Sequence, residues 1–229
     1  MSTLLLIRHG QASFGEADYD RLSALGKEQG LQIGAYFGAL DIRFDRVFVG
    51  PRLRHRQTHS AAAQTALERG SPFPEPEHLG SFDEHQCLET LDYHRQSLTE
   101  RLGLSADATD RKSALKLFRQ GSLMWVRGEL ESPGPLEDWP TFLRRIQGDL
   151  ADIQRRITEP NARIGIFTSG GAIAAAVGTV LGLSDEKIIE LSWSIRNGSL
   201  TEIRLSKRGL SLAGFNAVPF RDPKLLTYV

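Results

Sequence analysis

Leu4-Leu5-Leu6-Ile7-Arg8-His9-Gly10 is the stretch on which the chain turns. Four consecutive aliphatic residues read as a short buried strand, and the run stops at an arginine, a histidine and a glycine. In open α/β sheets ligands collect outside the carboxyl ends of strands, where a side chain points into a crevice while its backbone stays anchored. Arg8 and His9 hold that place. Gly10 removes side-chain bulk just after them, which permits an unusual backbone angle or the close approach of a ligand. Taken alone, the run fits equally well a strand that ends in solvent, where Arg and His are ordinary.

Working outward, Gln11 to Asp20 is a polar loop, and Leu22, Leu25, Leu31, Ile33 and Phe37 recur at roughly helical spacing behind Ser23, an N-cap residue type. Arg46-Val47-Phe48-Val49 is a second buried strand, ended by Gly50-Pro51. Arg52, Arg54, His55, Arg56, Gln57, Thr58 and His59 then open a helix that runs, alanine-rich, to about Glu68. Cations at a helix N-terminus oppose its dipole, a conflict that a bound anion relieves. A solvated basic face is the plainer reading. Arginines at alternate positions do not share one helix face, so one or two of them at most serve a ligand.

Ser71 to Pro76 is loop, and the following Leu79 to Glu89, carrying Asp83, Glu84 and His85, is a candidate site loop. Apolar residues recur at helical spacing from Asp110 to Val126 and from Glu137 to Ile157, and these helices are expected to form a cap beside the sheet. Arg163 to Phe167 is a third buried strand. Thr168-Ser169-Gly170-Gly171 and an alanine-rich helix through Leu181 follow it, repeating the strand, small-residue turn and helix of the first unit. Glycines such as Gly170 at such a turn let a phosphate approach the amides of the helix N-terminus, with close helix packing as the bland alternative. Ser199 to Leu205 and Leu210 to Phe215 pair as a hairpin across Lys207-Arg208-Gly209. Strands alternating with helices predict a three-layer α/β/α sandwich with a mostly parallel central sheet.

The 229 residues suit a single domain over 1–229, with a helical cap insertion around 79–140. The 28 basic and 28 acidic residues cancel, so nothing global draws the chain to nucleic acid or to an anionic membrane, and any anion site is local. Cys87 is the only cysteine, which excludes an intramolecular disulfide and argues against a structural zinc site. The N-terminal apolar run is too short for a signal peptide or a membrane span, and a cytoplasmic protein is expected. Trp125, Trp139 and Trp193 are expected in the core more than in a site.

Four motifs, Leu6-Ile7-Arg8-His9-Gly10-Gln11, Leu22-Ser23-Ala24-Leu25-Gly26, Pro51 to Thr58 and Thr168-Ser169-Gly170-Gly171, stand in the order and spacing of the histidine phosphatase superfamily, which the chain resembles over nearly its whole length. The resemblance implies the phosphoglycerate mutase-like fold and a phosphoryl-transfer pocket. In it His9 is the nucleophile and is transiently phosphorylated, Arg8 grips the phosphoryl oxygens, and Arg54, four residues before the Thr of the Gln57-Thr58 pair, is the second arginine. A neutral imidazole suits the role provided its other nitrogen is held as a donor. The planar fork of arginine suits the oxygens. Such chemistry needs positioning and charge, and no metal or cofactor is expected.

The sequence departs from the family pattern twice. Ser169 stands where the family has a second phosphate-binding histidine, a loss of a charge-assisted bond worth about 1.5–3 kcal/mol; His85 is the expected substitute. The family's general acid, a Glu two residues after a Leu, is matched here by Ser81, so Glu84 or Asp83 is expected to protonate the leaving alkoxide, with Glu84 favoured for its reach. The expected function is hydrolysis of a phosphomonoester, on a small phosphorylated metabolite or a phosphoprotein. A mutase-type phosphotransferase and a catalytically impaired phosphate-ligand binder are the alternatives.

Overall fold

The leucine-rich run folds as β1 (Ser2–Arg8), the middle of a six-stranded sheet, in a computed structural model that describes residues 1–13, 19–104, 110–157 and 159–228. Leu4, Leu6 and Ile7 are wholly buried because both faces of the strand are covered, which is why the run is continuously apolar rather than alternating. With β2 (Arg46–Val49), β3 (Glu77–His78), β4 (Arg163–Thr168), β5 (Leu200–Ser206) and β6 (Gly209–Ala217), the sheet order is β3-β2-β4-β1-β5-β6. The first four strands run parallel, and β5 and β6 are the antiparallel hairpin expected at the edge.

One face of the sheet carries α1 (Ala24–Ala39) and α2 (Leu53–Glu68), packed on Ile7, Val47, Val49 and Phe167. The other face carries α6 (Trp139–Arg156) and α7 (Gly170–Leu181), in one core with Leu4, Leu6, Ile164 and Ile166, and α5 (Arg111–Val126) packs beside them against α6. This is the α/β/α sandwich that the strand and helix alternation predicts. In α6 the stripe Phe142, Ile146, Leu150 and Ile153 is buried at helical spacing, and Asp138 caps the helix through the Thr141 amide at 2.9 Å. Trp125 and Trp139 lie in that core, their rings 5.6 Å apart. The short helices α3 (Cys87–Tyr93), α4 (Arg95–Arg101) and α8 (Asp185–Ser192), with 3-10 turns at Gly80–Phe82 and Pro223–Leu225, complete the described elements. Among the described residues no helix is long and apolar enough to cross a membrane.

Two features of the fold aim the site. In the register of β1 against β4, Arg8 stands opposite Thr168, so the turns that follow the two strands emerge side by side with His9 next to Ser169. On the other face α1 and α2 approach closely through glycine: a Cβ built on Gly34 would lie 2.1 Å from the Ala62 carbonyl oxygen, and one on Gly30 2.8 Å from the Ala61 Cβ. That contact brings the N-terminus of α2 to the same carboxyl end of the sheet.

Candidate active site

His9 lies at the end of β1, buried to 4 % exposure, with its main chain fixed on three sides. Its amide donates to the Thr168 carbonyl at 2.9 Å, and its carbonyl accepts from the Gly198 amide at 3.2 Å and from Asn197 Nδ2 at 3.4 Å. The ring is oriented by its own neighbour. Nδ1 stands 2.7 Å from the Gly10 carbonyl oxygen, which only accepts, so the proton sits on Nδ1 and the lone pair on Nε2. Burial, and after it the charges of Arg54 and Arg8, hold His9 well below the usual imidazole range, so the ring is neutral. A neutral imidazole with a directed Nε2 lone pair is a nucleophile.

Gly10 earns its place sterically. A Cβ there would lie 2.3 Å from the Gly26 carbonyl oxygen, and one on Gly26 would lie 2.1 Å from the Gln11 carbonyl oxygen. The turn after β1 therefore lies directly on the first turn of α1, where Ser23 caps the helix through the Gly26 amide at 3.0 Å. Thr58 binds the same turn from α2, accepting from the Gly10 amide at 3.0 Å and donating to the Arg54 carbonyl at 2.7 Å, while Gln57 accepts from the Leu22 amide at 2.7 Å. The Gln57-Thr58 pair serves the backbone of the site.

Arg54 is buried in the first turn of α2, with its Nε donating to His9 Nε2 at 3.1 Å and its Nη1 to Asp20 Oδ1 at 2.8 Å. Asp20 also accepts from the Leu53 amide at 2.7 Å through its second oxygen, so one carboxylate fixes both the guanidinium and the helix start that carries it. Arg8 donates through Nη1 to the carbonyls of Ile195 and Tyr228. Its Nε is buried without a partner among the described residues, and a Cβ on Gly170 would lie 3.3 Å from it. Burial pulls the Arg8 guanidinium down to about 10, still a cation at neutral pH. An unused guanidinium donor beside the first residue of α7 is a place for an anion.

Glu84 and His85 come in over the N-terminus of α7. Glu84 Oε2 accepts from the Gly171 amide at 3.3 Å and Oε1 from the His85 amide at 3.1 Å. A Cβ on Gly171 would lie 2.0 Å from Glu84 Oε1 and 2.5 Å from His85 Cδ2, so the second glycine of the turn is the space these two occupy. Burial pushes the Glu84 carboxyl up, but His85, Arg54 and the two amides outweigh it and hold the group below the usual carboxylate range. Asp83 is engaged differently: its Oδ1 accepts from Arg52 Nε at 2.6 Å and from the Glu84 amide at 2.7 Å, which shapes the turn that presents Glu84. The loop is clamped from α6 by Arg145, which donates to the carbonyls of Ser81, Asp83 and Glu84 and pairs with Glu137. Among the described residues no three His, Cys, Asp or Glu side chains converge as a metal cage.

No protein-family model and no curated protein sequence matches the chain. Solved structures do. A phosphoglycerate mutase from Bacillus anthracis superposes with a TM-score of 0.64 at 17 % identity, covering 95 % of this chain and 93 % of its own. A variant of phosphoserine phosphatase from Entamoeba histolytica, in complex with phosphoserine, gives 0.64 at 15 % identity over 95 % and 98 %. The alpha-ribazole phosphatase from Shigella flexneri gives 0.62 at 18 % identity over 96 % and 100 %. The fold is the phosphoglycerate mutase-like one.

Within this phosphoglycerate mutase-like fold the structure gathers His9, Arg8, Arg54, Ser169, Gly170 and Glu84 at the carboxyl ends of the central strands β1 and β4. His85 is beside them, its ring packed 5.5 Å from Trp125 and 5.4 Å from Phe142, with Nε2 3.7 Å from Glu84 Oε1. The imidazole that reaches Ser169 is a different one: His55 Nε2 lies 2.7 Å from Ser169 Oγ, and its ring centroid is 5.6 Å from that of His9. Sequence reading missed Asp20, His55 and Arg145. No spacing rule marks Asp20 or Arg145, whereas a histidine next to the motif arginine is a signal that a missing histidine elsewhere makes informative.

Proposed function

We propose that the protein is a metal-independent phosphomonoester hydrolase that works through a phosphohistidine at His9 on a small phosphorylated metabolite. The observation that carries this reading is the His9 ring itself, neutral, protonated on Nδ1, with its Nε2 lone pair flanked by the Arg54 guanidinium. In the reading, a phosphoryl group enters between Arg8, Arg54, Ser169 and the Gly170 turn. Nε2 attacks phosphorus in line as the ester P–O bond breaks, and the departing alkoxide takes a proton from Glu84. Water then attacks the phosphohistidine, Glu84 accepts its proton, and inorganic phosphate leaves.

Glu84 is held below the usual carboxylate range and so is a carboxylate at neutral pH. A phosphate dianion beside it raises its proton affinity, so Glu84 takes up a proton from solvent as substrate binds and passes it to the leaving alkoxide. Asp83 and His85 act by shaping and packing the turn that carries Glu84. The helical segment around 79–140 serves as the cap from which this turn reaches the carboxyl end of the sheet. The reading agrees with what the similar folds are, two of the three being phosphatases. The third is a mutase; a mutase returns the phosphoryl group to a substrate oxygen rather than to water. A cytoplasmic setting fits the single, buried Cys87.

The test is hydrolysis of an aryl phosphate by wild type and by His9→Ala, without added metal and with acid quenching to trap phosphoenzyme. Turnover and trapped phosphohistidine that both vanish in His9→Ala are expected. Turnover unchanged in His9→Ala overturns the reading.

A further inference from the structure

Ser169 is the kind of residue that caps a helix, and it stands at the N-cap of α7, yet its hydroxyl bonds none of that helix's amides. Its Oγ lies 2.7 Å from Nε2 of His55, and both side chains are wholly buried. His55 reaches Ser169 from the first turn of α2, next to Arg54. Successive helix residues diverge by about 100°, so Arg54 turns to His9 while His55 turns to the end of β4. Gly50 makes the room, since a Cβ on it would lie 2.4 Å from His55 Nδ1. Two residues therefore serve one contact: a glycine that clears space for an imidazole, and a serine whose hydroxyl is given to that imidazole instead of to its own helix.

We infer that Ser169 and His55 together form the donor on the side of the phosphoryl group next to His9, with Ser169 touching a phosphoryl oxygen and His55 acting through it as a positioning residue. This rests on the phosphohistidine reading above. With the proton on Nε2, His55 donates to Ser169 Oγ, and the serine's own O–H is left to donate to the anion. Burial, then the charges of Arg54 and Arg52, hold His55 well below the usual imidazole range, so the ring is neutral and the pair presents a neutral donor. A phosphoryl dianion opposes those cations, and the hydrogen-bonded chain from His55 through Ser169 lets the imidazole share its proton with the developing charge without being in contact with it.

The test compares His55→Ala, His55→Gln, Ser169→Ala and the double variant His55→Ala/Ser169→Ala, each first checked for a native unfolding transition. Aryl phosphate hydrolysis is one readout, and calorimetric binding of orthovanadate is a second that needs no turnover. Expected are losses of about 10- to 100-fold in kcat/KM and in vanadate affinity for each alanine variant. The double variant is expected to be no worse than Ser169→Ala, and His55→Gln, which keeps an N–H, to restore most of the loss. Should His55→Ala not fold, His55→Gln against Ser169→Ala carries the comparison, and a Gln variant as weak as Ser169→Ala overturns the inference. So does a folded His55→Ala with wild-type kcat/KM and vanadate affinity, or a double variant whose loss is the product of the single losses. Activity that survives His9→Ala would sink the phosphohistidine reading instead, and the vanadate series would still decide on His55.

Discussion

The Nε–H of Arg54 points at Nε2 of His9 from 3.1 Å, so the lone pair proposed to attack phosphorus is itself held by a hydrogen bond. The arrangement fixes the tautomer twice over, through Gly10 at Nδ1 and through Arg54 at Nε2. In the proposed reaction a phosphoryl oxygen, a stronger acceptor than an imidazole nitrogen, would take over the Arg54 N–H and free that lone pair. Asp20 holds the far side of the guanidinium.

Arg54 also lowers the proton affinity of His9, second only to burial. That keeps the ring neutral and competent on the acid side of neutrality. In Arg54→Gln the His9 pKa rises toward the ordinary imidazole value, so activity falls off earlier on acidification. We expect kcat/KM for an aryl phosphate to drop about 100- to 1,000-fold and its acid limb to move to higher pH. A pH–rate profile measures both, and an acid limb left in place would mean that Arg54 does not tune His9.

Glu84 is tested by the leaving group. An aryl oxide departs without a proton, whereas an alkoxide needs one, so Glu84→Gln is expected to lower kcat for an alkyl phosphate by about 10²- to 10⁴-fold while an aryl phosphate loses far less. Arg145→Ala removes the clamp on the carbonyls of Ser81, Asp83 and Glu84 and should give the same leaving-group signature in weaker form. Equal losses on both substrates in Glu84→Gln would move the acid elsewhere in the loop, with Asp83→Asn as the next comparison.

Much of this architecture is written into the sequence because β1, β2 and β4 are covered on both faces and so read as uninterrupted apolar runs. Their helices carry strong caps or stripes, Ser23 for α1 and the Phe142 to Ile153 stripe for α6. The elements that escape a sequence reading are short: β3 pairs through only Glu77 and His78, and α3 and α4 have seven residues each, below the length at which periodicity is visible. In the site, Arg8, His9 and Arg54 are singled out by the resemblance of their motifs to the histidine phosphatase superfamily. His55 is not, because along α2 it reads as one more basic residue, and only the β1–β4 register and the approach of α2 bring it to Ser169. His85, nearer the candidate acid in sequence, is the more obvious substitute for the missing histidine; its ring lies 5.5 Å from that of Trp125 and 5.4 Å from that of Phe142.

The contact between the turn after β1 and α1 leaves no room for a methyl group. Gly26→Ala would place its Cβ 2.1 Å from the Gln11 carbonyl oxygen, and since that atom is backbone, no rotamer relieves the clash. The expected cost is about 1–3 kcal/mol of stability, measured by denaturant unfolding, together with a fall in kcat as the turn that holds Gly10 against the His9 ring shifts. Gly148→Ala is the control, because a Cβ there meets nothing within 4 Å. Equal unfolding midpoints for the two variants would show that the turn yields at no cost.

His59 gives a pH test of the core that does not touch the proposed chemistry. Its ring lies 5.1 Å from that of Phe167 and 5.9 Å from that of Phe73, and its Nε2 is buried with no partner among the described residues. Burial lowers it to about 4. The folded state therefore resists a proton that the unfolded chain accepts at about 6.5, so stability is fully present above that pH and is lost as the pH falls toward 4. Across that window one such group is worth about 3 kcal/mol, and His9 and His55 act in the same direction. His59→Phe removes the titration and an unpaired nitrogen from an aromatic pocket. Its unfolding free energy should depend less steeply on pH between 4 and 6.5 than that of wild type, and it should be the more stable protein at pH 5. A parallel pair of stability curves would mean that the His59 ring is reached by water and takes its proton in the fold.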